Sequence, residues 1–157
     1  MSTSIAYCIL ICFAAIIVVL SIGAPNVLAD SNSFLSSFVG AELLNILGVI
    51  VAITLASAAQ MHLALNGIEE RFNRRNSFVA TRAGIRAGSY TLIILFAAAF
   101  LLVVAKPHVA TTAWSQSLVN GAAIFIVLWN VLVLVALTQG VFALGPTLKD
   151  EGGPHEG

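Results

Sequence analysis

Residues 39–65 read VGAELLNILGVIVAITLASAAQMHLAL, and Glu42 is the only formal charge among them. Crossing the hydrocarbon of a bilayer takes about 20 helical residues. Backbone groups in lipid have to pair within their own segment, so a run of this length is read as a transmembrane α-helix. Three more stretches follow the same logic: residues 5–22, 89–105 and 118–144. The chain of 157 residues is 59% hydrophobic and 9% charged, with a mean hydropathy of +1.01. A soluble domain carries about 25% charged residues, so the main solvent of this chain is lipid. The predicted fold is an all-α integral membrane four-helix bundle.

The breaks between spans have chemical causes. Gly23-Ala24-Pro25-Asn26 is expected to end the first span, and Lys106-Pro107 the third. Ser36, Ser37, Ser115 and Ser117 precede the second and fourth spans as candidate N-caps. Trp114 fits an interfacial anchor. Val27-Leu28-Ala29 resembles a signal-peptidase site, but the region before it has no Lys or Arg and its apolar run exceeds a signal-peptide core. Span one is therefore expected to be retained.

Orientation follows from the arginines. Arg71, Arg74, Arg75, Arg82 and Arg86 all lie between spans two and three. Positive-inside logic places that connection in the cytoplasm of a cell's inner membrane, and four spans bring both termini to the same side. The chain then divides into a first hairpin over 1–65, a basic connection over 66–88, a second hairpin over 89–145 and a polar tail over 146–157. The halves also echo each other. YCILICFAA from Tyr7 parallels YTLIILFAA from Tyr90, and Pro25-Asn-Val parallels Pro107-His-Val. Such echoes predict two tandem hairpins related by a pseudo-two-fold along the membrane normal.

At about 100° per residue, span two sorts into two faces. Glu42, Asn45, Gly48, Ala52, Ala56, Ala59 and Gln60 share one, and Leu43, Leu47, Ile50, Val51 and Met61 the other. Helices in lipid associate through close backbone approach and polar contacts. This predicts Gly48, Ala52 and Ala56 as packing positions, with Gly84 and Gly88 on span three, and places span two at the centre. Helices two and three should project beyond the membrane as a packed hairpin turning over 73–77, with Arg82 and Arg86 pointing away. The arginines are candidate contacts for anionic lipid or a partner, against a plain role in topology.

Candidate polar sites inside the spans are Glu42 with Asn45 and Asn120 with Asn130. Each has a structural alternative: a first-turn acid at the headgroup level for Glu42, and interhelical hydrogen bonding for the asparagines. Cys8 and Cys12, one turn apart, read as buried small hydrophobes. His62 and His108 fall on opposite sides of the membrane, which argues against a haem. No nucleophile–base pair, phosphate loop or metal-ligand spacing occurs in the sequence, so neither an enzyme nor a cofactor is expected. With zero net charge, nucleic acid is not an expected partner. The expected partners are the bilayer, further copies of the chain or other membrane subunits. The expected function is an oligomeric scaffold or subunit of a membrane assembly, with an oligomeric ion or solute channel as the alternative.

Overall fold

The computed structural model describes residues 3–72 and 78–142. Arg74, Arg75, the turn expected over 73–77 and the tail over 146–157 lie outside the described residues. Regular structure among the described residues is entirely helical: α1 (Thr3–Gly23), α2 (Pro25–Leu28), α3 (Ser33–Ser37), a π-helical segment (Phe38–Glu42), α4 (Leu43–Phe72), α5 (Val79–Val109) and α6 (Ala113–Phe142). Four stretches are long and apolar enough to cross a membrane: Ser4–Gly23, Ser33–Arg71, Val79–Val109 and Ala113–Gly140. The chain is an all-α, four-span membrane protein.

Local chemistry sets the helix ends, in part differently from the sequence expectation. The α5 helix does not stop at Lys106-Pro107 but runs on to Val109. Pro107 sits in the last turn, where its missing N–H removes a single helical bond, and the Ala110 N–H closes the helix on Lys106 O at 2.9 Å. Of the expected cap serines, Ser115 takes part in a cap. Asn32 caps α3 by accepting from the Phe34 N–H at 3.1 Å. Thr112 and Ser115 cap α6 reciprocally: the Thr112 N–H donates to Ser115 Oγ at 3.0 Å, and the Ser115 N–H to Thr112 Oγ1 at 3.2 Å. Ser117 is buried inside the bundle instead.

Span four is the hub of the assembly. The α6 helix packs on α1, α2 and α5 and also touches α4, while α4 packs mainly on α5. The expectation that span two is central is overturned. So is its facing, because Leu43 and Leu47 are 0% exposed whereas Glu42, Asn45, Ala52, Ala56, Ala59 and Gln60 lie on the outside. Leu43, Leu47 and Val39 join Leu95 and Ala99 of span three and Ala123 and Ile126 of span four in one cluster. Large side chains of span two thus pack against a mixture of large and small residues of the other two. The two faces of span two are real; helical periodicity separates them without saying which turns inward, because lipid is as apolar as leucine.

Spans three and four form a packed hairpin, but spans one and two make no substantial contact with each other. The sequence echoes between the halves therefore run without an equivalent packing. Span one sits at the edge against span four, so Cys8 and Cys12 are exposed, contrary to expectation. They line a shallow apolar groove of 440 Å³ with Ile5, Phe13 and Leu128.

The extension of α4 and α5 beyond the apolar core is present. Each is 30 residues or longer, about 45 Å at 1.5 Å per residue against about 30 Å of hydrocarbon. Their ends are clasped together. Arg82 turns inward rather than away, donating to Glu69 Oε2 at 2.9 Å and Asn66 Oδ1 at 2.7 Å. Glu69 Oε1 accepts from the Phe78 N–H at 3.3 Å. Arg71 and Arg86 remain exposed.

Candidate functional site

The polar groups of the spans fall into two sets that do not meet. Glu42 and Asn45 lie on the outward face of span two. Glu42 immediately precedes α4, where an acid favours the positive end of the helix dipole. Asn120 and Asn130 are both 0% exposed on the inward face of span four. The proposed packing positions divide likewise. Gly48 faces the ring of Phe96, and Gly88 faces Leu137. Ala52, Ala56 and Gly84 are exposed on the single chain.

Asn130 does not join two helices through its amide. Its Nδ2 donates to Ile126 O of its own helix at 3.1 Å, and its Oδ1 is buried without a partner. Asn120 belongs to a network that crosses three elements. Its Nδ2 donates to Leu28 O at 2.8 Å and to Asp30 Oδ1 at 2.9 Å. The same Asp30 oxygen accepts from Lys106 Nζ of span three at 2.9 Å. The Asp30 N–H donates to Gln116 Oε1 of span four at 3.2 Å.

Lys106 makes a second contact, donating to Val39 O at 3.4 Å. Regular helical geometry is interrupted at Val39 and Gly40 (φ −80°, ψ 68° and φ −165°, ψ −137°), and the lysine offers a donor to a carbonyl beside that break. Lys106 and Asp30 are both partly covered, with side-chain exposures of 12% and 29%. Burial pulls the Asp30 carboxyl upward. The hydrogen bond from Asn120 and the hydrogen bond and charge of Lys106 outweigh it, so the group titrates below its ordinary value.

One turn of span four away, Ser117 Oγ donates to Ser21 Oγ of span one at 3.0 Å, and both serines are 0% exposed. Asn120 Oδ1 is buried and has no partner. Ser21, Ser117, Asn120, Asp30, Gln116 and Lys106 therefore form one polar region where all four spans or their connections converge.

Sequence reasoning identified Asn120 but missed the rest. Lys106 lies seven and fourteen residues after Ala99 and Leu92, but only their burial in the structure shows that this line of span three turns inward. Asp30 carried no signal, since it sits in a connection whose fold-back leaves no periodic pattern. The region binds its own chain, and no group of three or more metal-ligating side chains occurs among the described residues. Comparison with known protein families, with curated proteins and with solved structures finds no match.

Proposed function

We propose that the chain is an oligomeric membrane subunit whose copies associate through the outward face of span two, with the arginine-bearing end in the cytoplasm of a cell's inner membrane. The supporting observation is that Asn45, Ala52, Ala56 and Gln60 share an exposed face, opposite the buried Leu43 and Leu47. An amide turned to lipid has no donor or acceptor to meet, and pairing it across helices is worth about 0.6–2 kcal/mol. Ala52 and Ala56, four residues apart and both exposed, let a neighbouring backbone approach. A second copy related by a two-fold along the membrane normal brings each residue to its counterpart at the same depth. Asparagine and glutamine both donate and accept, so the face is complementary to itself. Five of the seven basic residues in the 71–86 region support the orientation.

Stoichiometry in mild detergent and by subunit counting in nanodiscs tests the reading. Wild type should be oligomeric, and Ala52→Leu or Ala56→Leu should shift it to monomer, whereas Val19→Leu on the exposed side of span one should not. A monomeric wild type would refute the proposal. Ion flux in liposomes lost on Glu42→Gln would favour the channel alternative instead.

A further inference from the structure

At the Asp30 end, the connection between spans one and two folds over spans one and four. Leu28, Ala29, Leu35 and Val39 of that connection are buried, while Asn26, Ser31, Asn32, Ser36 and Ser37 are exposed. The segment is thus anchored in the bundle by four apolar side chains, while Val27 and Phe34 stay outside: α2 packs on both α1 and α6, and α3 on the π-helical segment. Beneath it lies a polar floor made of Ser21, Ser117 and Asn120. A buried acceptor without a donor costs free energy that water would return, and Asn120 Oδ1 is such an acceptor. The closed arrangement therefore depends on compensating contacts, and these converge on Asp30: Lys106 and Asn120 on its carboxylate, Gln116 on its N–H.

We propose that residues 25–42 form a strap that opens between spans one and two, with Asp30, Lys106 and Asn120 as its latch and Val39–Gly40 as its hinge. Opening admits water to the Ser21–Ser117–Asn120 floor. The latch holds because one carboxylate joins the strap to span three through Lys106 and to span four through Asn120. The hinge is placed where helical geometry is already interrupted and where Lys106 Nζ meets Val39 O. Releasing the Asp30 carboxylate breaks two charge-assisted hydrogen bonds and leaves the strap held by its apolar side chains and by the weaker contacts of Asn120 with Leu28 O and of the Asp30 N–H with Gln116.

Thiol accessibility on the full chain in nanodiscs, where both membrane faces are open to reagent, tests the strap. Cys8 and Cys12 are first replaced by alanine, because both are exposed. Ser117→Cys then reports on the floor, and Leu92→Cys, fully buried on span three and outside the cluster that holds Val39, reports on the bundle as a whole. With the latch intact, a water-soluble maleimide should label both slowly. Asp30→Asn or Lys106→Met should raise labelling of Ser117→Cys about tenfold or more, as expected from losing a charge-assisted hydrogen bond. Leu92→Cys should stay protected. Unchanged protection of Ser117→Cys would overturn the strap. Parallel labelling of both positions would overturn it as well, since the latch would then support the whole bundle.

Discussion

Gly121 of span four lies so close to Ile17 of span one that a Cβ on the glycine would stand 2.5 Å from Ile17 Cγ2. Isoleucine is stiff at χ1, so the contact has little room to give. Gly121→Ala should destabilise the bundle by about 1–3 kcal/mol, the usual cost of overpacking. Ile17→Ala removes the obstructing methyl, and in that background Gly121→Ala should be nearly silent. A double-mutant cycle on unfolding in detergent measures the coupling; additive effects would mean that the two helices do not meet here.

The two glycines singled out on span three should behave differently. A Cβ on Gly88 would stand 2.6 Å from Leu137 Cδ2, whereas one on Gly84 meets nothing within 4 Å. Leu137 presents a flexible tip, so Gly88→Ala should cost little and Gly88→Val, with its branched Cβ, distinctly more. Gly84→Ala should stabilise α5 by up to about 1 kcal/mol through helix propensity. Thermal unfolding midpoints of the three variants check the order.

Span two tests which face is inward. Leu47 is 0% exposed and Ile53 63% exposed. Leu47→Ala should cost about 2–3 kcal/mol through a cavity among Leu95, Ala99 and Ala123. Ile53→Ala should leave the stability of the single chain within about 0.5 kcal/mol. The reverse order in detergent unfolding would restore the facing expected from sequence.

The Asp30 carboxyl titrates below its ordinary value in the folded chain. A depressed folded pKa contributes stability that is fully present above the unfolded pKa and disappears as pH falls through the folded one. The unfolding midpoint should therefore drop below about pH 4, near the ordinary carboxylate range. Asp30→Asn should lower stability at pH 7 and flatten that acid limb. An unaltered acid limb in the variant would assign the loss to other carboxylates.

The spans were legible because charge-free runs of helical length have one stable form in lipid. The hairpin extension was legible too, since Gly84, Gly88 and the acids near Glu69 continue a helical pattern past the apolar core. Facing was not. Leu43 and Ala52 differ in size rather than in affinity for lipid, so periodicity separated their faces without orienting them. Cys8 and Cys12 went astray for the same reason: an apolar residue at the edge of an assembly resembles one in its core. Asp30 and Lys106 lie far apart in the chain, and only the fold-back of the 25–42 connection brings their charges together.

In chain order, the span that organises this protein follows the other three. Membrane helices insert first and pack afterwards, so span one enters the bilayer before Gly121 exists to receive Ile17. Ser21 then waits without Ser117, and Asp30 without Asn120 and Gln116. A chain interrupted before residue 113 would carry three inserted helices, the first of them an orphan with its serine turned to lipid. Assembly of the bundle thus waits for span four.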